Sequence, residues 1–408
     1  MYNILVGQSG GPTAVINASL YGVVQEAIEK EKIDHVYGMV NGIEGFLKNC
    51  VIDMSDYAKD HDICLLKTTP ASFLGSCRFK LPENLEDPVF PAIMAKLKEY
   101  EIKAFFYIGG NDSMDTVSKL SRYAAKVGED ICFVGVPKTI DNDLILTDHT
   151  PGYGSTAKYV ATTVKEIVQD AGVYVHPVVT IVELMGRNAG WVTAASVLAR
   201  TEYDRNPLLV YLPESDFEVD QFVEDVKGAL KQQNSVVVCV SEGISDKNGK
   251  FICEYGAAAG VDNFGHKMLT GCGKVLEGIV KERIGCKCRS IECNLPQRCS
   301  AILASRTDIE EAEGAGRYAV NAALASGTGI MITFIRSEGD YAITYGTEDV
   351  NKICNREKKF PAEWITAHGT DIAEEFLSYV KPLIQGESTV PFENGLPVYL
   401  KPAYKEIL

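Results

Sequence analysis

Positive charge is in deficit in this chain: 40 lysines and arginines face 55 aspartates and glutamates, a formal net charge of −15. The long-range field of such a surface repels polyanions, so neither nucleic acid nor an anionic membrane is an expected partner, and an anionic small ligand needs a local basic pocket. Long apolar runs are missing too. The nearest, the uncharged stretch Tyr318 to Ile335, is split by Ser326-Gly327-Thr328-Gly329 into a small-residue helix and a short strand, so no transmembrane helix is expected. The opening MYNILVGQSGG lacks a basic region followed by an apolar core and cleavage site, so the expected location is the cytoplasm. Paired C-x-x-C knuckles are absent. The twelve cysteines read as reduced, mostly buried thiols, and the group Cys286, Cys288, Cys293 and Cys299 as core and loop thiols rather than a zinc site. Neither Gly249-Lys250 nor Gly273-Lys274 is followed by Ser or Thr, which excludes a Walker A loop. Gly314-Ala315-Gly316-Arg317-Tyr318-Ala319 mimics a dinucleotide fingerprint but follows the acidic helical stretch Asp308 to Glu313 instead of a strand, and that reading is rejected. No internal repeat and no Pro/Gly/Ser-rich linker marks a boundary, which points to domains interleaved in sequence. The charge runs Glu29 to Lys32, Asp308 to Glu311 and Arg356 to Lys359 read as solvated helix ends or loops.

What the chain does contain is a regular alternation of short β-branched runs and longer helical stretches. Strands are expected at Asn3 to Val6, Ala104 to Ile108, Ile131 to Val136, Val178 to Leu184, Leu208 to Leu212 and Val236 to Val240, with an amphipathic helix from Ala14 to Lys30. Runs apolar on both faces and separated by helices imply parallel sheets covered on both sides. At roughly 100–200 residues per domain, the 408 residues accommodate two doubly wound α/β units.

In parallel sheets ligands bind at the carboxyl ends of the strands, so the loops there hold the candidate chemistry. Gly7-Gln8-Ser9-Gly10-Gly11-Pro12-Thr13 leads from a strand into a helix and suits an anion, although a tight turn with no ligand accounts for it equally. Gly109-Gly110-Asn111-Asp112-Ser113 sets oxygen ligands for a hard cation beside a helix start; the plainer alternative is that Asp112 or Ser113 caps a helix beginning near Met114. Pro137-Lys138-Thr139-Ile140-Asp141-Asn142-Asp143 supplies an amine that can hold a phosphate and a carboxylate that can accept a hydroxyl proton. Phosphoryl transfer needs that combination. Met185-Gly186-Arg187-Asn188-Ala189-Gly190-Trp191 offers a guanidinium for phosphate, or an ordinary salt bridge if taken alone.

In their order and spacing, SGG, FLGSCRF, GGNDS, PKTIDND, MGRNAGW and SEG resemble the phosphofructokinase family, from the first strand to about Arg306. The resemblance implies two Rossmann-like, three-layer domains meeting at a cleft, and transfer of phosphate to carbon 1 of fructose 6-phosphate with Mg2+. It implies Asp141 as catalytic base beside Lys138 and Arg187. Gly10, Arg78, Asp112 and Lys138 would take the donor phosphate. Thr139, Ile140, Asp141, Met185, Gly186, Arg187, Glu242 and Arg298 would line the sugar phosphate, with Arg289 supplied by a neighbouring subunit of a homodimer or homotetramer. Asn111 and Asp143 would serve the metal. Residues 1–153 plus about 297–350 would form the donor domain, and 154–296 plus about 351–408 the sugar-phosphate domain. Three positions depart from the family pattern: Asn111 replaces a metal-associated Asp, Leu295 a His or Tyr, and Val178 a second arginine directed at the neighbouring subunit.

Donor choice turns on Asp112 and Lys138. ATP-using relatives typically carry glycine at both positions, whereas Asp with Lys resembles the pyrophosphate-dependent branch. A carboxylate at 112 would meet the α-phosphate of ATP with overlap and like charge, while Lys138 can neutralise compact pyrophosphate. The alternatives are an ATP-dependent phosphofructokinase, a sugar-phosphate sensor that lost the chemistry, and a dinucleotide or lipid kinase sharing only the GGNDS segment.

Overall fold

The computed structural model describes residues 2–256 and 271–407. In chain order, the strands of its two large sheets are β1 (Tyr2–Gln8), β2 (Ile33–Met39), β3 (Val51–Asp53), β4 (Ile102–Gly109), β5 (Cys132–Pro137), β6 (Val178–Leu184), β7 (Leu209–Tyr211), β8 (Ser235–Ser241), β9 (Lys287–Glu292), β10 (Ile330–Arg336) and β11 (Ile343–Asp349). The first sheet runs β11-β10-β5-β4-β1-β2-β3 and the second β7-β8-β6-β9. The first is parallel except at its two edges, where β11 and β3 pair antiparallel with their neighbours. The second is parallel throughout.

All six runs expected as strands are strands. The strands that periodicity left unmarked lie toward sheet edges, where only one face is buried. β9 (KCRSIE) and β11 (ITYGTED) are mostly polar and partly exposed, so no apolar run announces them. Helix Asn111–Val127 forms from an amphipathic pattern that buries Met114, Val117, Leu120 and Ala124, and it ends at Gly128 in the left-handed conformation. Tyr318 to Ile335 is the end of helix Arg306–Leu324, a turn, and β10; among the described residues no helix is long and apolar enough to cross a membrane.

Helix Arg306–Leu324 packs against helix Ile16–Ile28, and this contact explains Gly316 of the false fingerprint, while Gly314 faces the Tyr345 ring. A Cβ on Gly316 would run into the Ser19 carbonyl, and one on Gly22 into the Glu313 carbonyl, so both helices need hydrogen there to reach contact. Two of the three charge runs are solvated only in part, with Glu310, Arg356, Glu357 and Lys359 exposed as expected. Asp308 is buried and accepts the N–H groups of Gly152 (2.9 Å) and Ser155 (2.8 Å), capping helix Tyr153–Ala171, and Glu311 is buried against His149 (2.7 Å). Lys358 of the Arg356 to Lys359 run is walled in as well, its ammonium donating to the Asp148 carbonyl at 2.7 Å. Asp308 and Lys358 are matched to backbone polar groups and Glu311 to the His149 and Tyr341 side chains instead of water.

Each sheet has an apolar core on both faces. Phe360, Phe376, Val380 and Leu383 join the core of the second sheet, while Ala403 returns to the first, donating its N–H to the Phe73 carbonyl at 2.9 Å. In the first sheet the chain leaves β1 on one side for β2 and returns on the other as β4. In the second it leaves β6 for β7 at the edge, comes back as β8 beside β6 and crosses to the other side of β6 as β9. A crevice opens at each of these reversals, and the carboxyl-end loops beside them face each other.

Candidate functional site

The loops after β1, β4 and β5 of the first sheet and after β6 and β8 of the second enclose a cleft of about 660 Å³. Thirteen of the fifteen expected site residues line it: Gly10, Arg78, Asn111, Asp112, Lys138, Thr139, Ile140, Asp141, Asp143, Met185, Arg187, Glu242 and Arg298. Gly186 lies just behind, donating its N–H to Glu242 Oε1 at 3.4 Å, and its φ of 130° explains the glycine. Arg289 is elsewhere. It projects from β9 beside Asp170 (3.6 Å) and the Tyr174 hydroxyl (3.4 Å), on a separate surface groove.

At one end of the cleft the first-sheet loops present donors. Gly10 has a φ of 75°, so a side chain there would be strained, and a Cβ would stand in ordinary contact with the Lys138 ammonium. Ser76 Oγ donates to the Gly10 carbonyl at 2.8 Å, fixing the loop against the segment that carries Arg78. Helix Asn111–Val127 begins at Asn111 with Gly110 as its N-cap, and no side chain caps it. The capping reading of Asp112 and Ser113 is therefore overturned: the helix starts three residues early, and its first turn faces the cleft with the dipole favouring an anion. Lys138 is buried and donates to the Gly11 carbonyl at 2.6 Å. Burial, with Arg298 nearby, pushes its ammonium down to about 8 against the pull of Asp141 and Asp143.

Asp141 occupies the centre. Its backbone N–H is received by Thr139 Oγ1 at 3.1 Å, and the Thr150 hydroxyl donates to the Thr139 carbonyl at 2.9 Å, so the loop is held by its own side chains. Burial, then the carboxylates of Asp143 and Glu242, push Asp141 up to about 7, while Lys138 and Arg187 oppose the shift. Glu242 is likewise pushed up to about 7, first by burial. A carboxyl poised near neutrality beside guanidinium and ammonium groups suits proton transfer at a hydroxyl flanked by phosphates.

The second sheet and the short helix after β9 close the cleft from the other side, and the Arg298 guanidinium reaches across to Gly11. Met185 donates its N–H to Gln297 Oε1 at 3.1 Å, and this bond ties the β6 loop to the short helix Pro296–Cys299 that carries Arg298. Burial lowers the pKa of Arg298, and Arg78 adds to the effect, so two cations share the cleft. Leu295 is 53% exposed and outside the cleft lining, and Val178 is buried at the start of β6, offering no surface group.

The lining also includes Gly11, Pro12, Thr13, Gly110, Ser113, Asn188, Ala189 and Glu357. Seven of these eight lie inside the candidate loops without having been assigned a role. Glu357 does not: it arrives from the charge run after β11 and accepts the Asn188 amide at 2.7 Å. The donor set for a divalent cation is partial but suitable. Asn111 Oδ1 and Asp143 Oδ1 are buried without hydrogen-bond donors, and the Asn111 amide nitrogen donates to the Arg356 carbonyl at 2.6 Å, turning its oxygen the other way. No group of three or more His, Cys, Asp or Glu placed to hold a metal occurs among the described residues. Mg2+ commonly takes one or two protein oxygens and completes its shell with phosphate oxygens and water, so the two orphaned oxygens fit it.

The phosphofructokinase family pattern matches residues 3–305. Over 98% of its length the chain is 38% identical to the pyrophosphate–fructose 6-phosphate 1-phosphotransferase of Halomonas elongata, covering 96% of that protein, and 37% identical to the enzyme of the same name from Methylococcus capsulatus, covering 95%. An ATP-dependent 6-phosphofructokinase of Mycobacterium tuberculosis is 32% identical over 67% of the chain and 74% of its own length. Among solved structures, the pyrophosphate-dependent phosphofructokinase of Nitrosospira multiformis superposes with a TM-score of 0.88 at 35% identity, over 98% of this chain and 96% of that one. Sequence match, matching fold and the convergence of the family's loops on one cleft agree, and the chain belongs to the phosphofructokinase family.

Proposed function

We propose that this protein is a pyrophosphate-dependent 6-phosphofructokinase, transferring phosphate from pyrophosphate to the 1-hydroxyl of fructose 6-phosphate to give fructose 1,6-bisphosphate and phosphate. The observation that carries the reading is the cleft itself: one carboxyl, Asp141, with Lys138 and Arg187 among the charges that act on it, lines it together with Asp112, Arg78 and Arg298. Homologues bearing the corresponding names support the donor assignment over nearly the full chain.

In the reaction the Asp141 carboxylate takes the proton of the sugar hydroxyl as its oxygen bonds to phosphorus, and the bridging P–O bond of pyrophosphate breaks to release phosphate. Gly10, Arg78 and the first turn of helix Asn111–Val127 hold the donor, and Lys138 neutralises charge on it. Arg298 grips the sugar 6-phosphate, with Thr139, Ile140, Met185, Gly186, Arg187 and Glu242 around the sugar. Asn111 and Asp143 would hold Mg2+, which, when bound, spreads the negative charge of the transferring group. The donor half is residues 1–153 with about 297–350, and the sugar half 154–296 with about 351–408, the tail at 400–404 packing back on the donor half. The location we assign is the cytoplasm.

The test supplies fructose 6-phosphate with pyrophosphate or ATP at equal magnesium and follows fructose 1,6-bisphosphate. Turnover with pyrophosphate is expected, and phosphate with fructose 1,6-bisphosphate should regenerate pyrophosphate, because donor and product lie close in transfer potential. Turnover with ATP alone, or only with another acceptor, overturns the reading. Arg289, outside its own cleft, serves a neighbour's site, so the active species is a homodimer or larger. Sedimentation during turnover should therefore find no active monomer, and a fully active monomer would refute the shared site.

A further inference from the structure

Asn142, directly after Asp141, is fully buried and holds a left-handed φ of 52°. An L-residue stays in that region only where its surroundings hold it, and the reversal it makes lets both Asp141 and Asp143 face the cleft. Two side chains from the C-terminal part of the chain do the holding. The Lys358 ammonium donates to Asn142 Oδ1 (3.4 Å) and to the carbonyls of Thr147 (3.2 Å) and Asp148 (2.7 Å), and the Lys358 N–H donates to the Asp143 carbonyl (2.7 Å). The Asn142 amide donates to the Tyr379 hydroxyl (2.8 Å), which donates in turn to the Asp148 carbonyl (2.9 Å). Tyr379 is fixed by Arg336, whose guanidinium lies 4.6 Å from its ring centroid and donates to its carbonyl at 3.0 Å.

Lys358 also reaches the other sheet. The Trp191 indole N–H donates to the Lys358 carbonyl at 3.1 Å, and the ammonium lies 5.2 Å from the Trp191 ring centroid. Trp191 ends the loop that carries Arg187. An ammonium has three donors, and all three here go to uncharged oxygens. Burying a cation among carbonyls costs stability, so stability does not account for lysine at this place.

We propose that Lys358, with Tyr379, is a positioning residue for the reaction: it holds the Asn142 reversal that aims the Asp141 carboxylate into the cleft, and ties that aim to the Arg187 loop. The role rests on Asp141 acting as the base in the proposed reaction. The test uses Lys358→Met, Lys358→Arg and Tyr379→Phe in the full chain, after wild-type turnover with pyrophosphate and fructose 6-phosphate has been established. Lys358→Met should lower kcat roughly 10–100-fold, as loss of an orienting outer partner does, while both KM values stay within about threefold and the melting temperature stays close to that of the parent. Lys358→Arg should recover part of kcat, because a guanidinium can donate to the same carbonyls. Tyr379→Phe, which removes one hydroxyl, should shift kcat in the same direction by less. Unchanged kcat in Lys358→Met, a raised KM with kcat preserved, or a kcat loss that tracks unfolding while Tyr379→Phe matches wild type would each overturn the role. A wild-type protein that does not turn over would instead overturn the reaction, and this role with it.

Discussion

Asp141→Asn should leave a folded, assembled protein that has lost roughly 10²–10⁴-fold in kcat, since a positioned base contributes about that much. The change is isosteric, so the cleft keeps its shape while the group that accepts the hydroxyl proton is gone. Stability provides an independent check. The folded-state pKa of Asp141, about 7, lies above the ordinary carboxylate value, so between those two values the folded state binds more protons than the unfolded one, and stability falls as pH rises through that window. Above pH 7 the parent carries the whole penalty of the buried charge. Asp141→Asn should therefore melt no lower than the parent at pH 8. In the parent, kcat/KM should rise as pH passes about 7, where Asp141 ionises, and fall beyond about 8, where Lys138 loses its proton. Near-parental turnover in Asp141→Asn would remove Asp141 from the chemistry.

The second large effect is a change of donor. Lys138 reaches the cleft from a buried position beside Gly11, so Lys138→Gly removes a preorganised cation and should cost roughly 10²–10³ in turnover with pyrophosphate. Asp112→Gly removes the carboxylate from the first turn of helix Asn111–Val127, where it would face the α-phosphate of ATP. The double variant should gain ATP-dependent turnover while remaining poor with pyrophosphate, and each single variant should fall between. Competition of ATP against pyrophosphate, measured as a ratio of kcat/KM values, reads the outcome. A double variant that keeps the parental preference would show that donor choice resides in other residues of the cleft.

Lys358 illustrates how local chemistry became visible in the sequence while long-range contacts did not. In Arg356-Glu357-Lys358-Lys359 each residue reads as a solvated charge, because nothing within ten positions marks a partner. The partners are Asn142, Asp148, Asn188 and Trp191, all some 160 to 220 residues away. Helix Asn111–Val127 starts three residues before the expected position. Asp and Ser after a glycine pair are good capping residues, yet the glycine itself became the N-cap once β4 fixed the chain direction, leaving Asp112 in the first turn. Edge strands β9 and β11 were hidden for a related reason: their pairing partners, rather than their own apolar pattern, make them strands.

The sequence by itself determined the two parallel-sheet units, through six apolar strand runs, and the chemistry of their loops, through residue types whose spacing leaves few other uses. Glycine, lysine and aspartate act there through backbone reach and charge, which are properties of a short segment. Tertiary structure alone decided how those loops face one another, that burial, with Asp143 and Glu242 close by, poises Asp141 near neutrality, and that a distant lysine braces the turn beside it. The physical reason is that desolvation and coupling between charges depend on distance through space, and only the packing of the two sheets sets those distances.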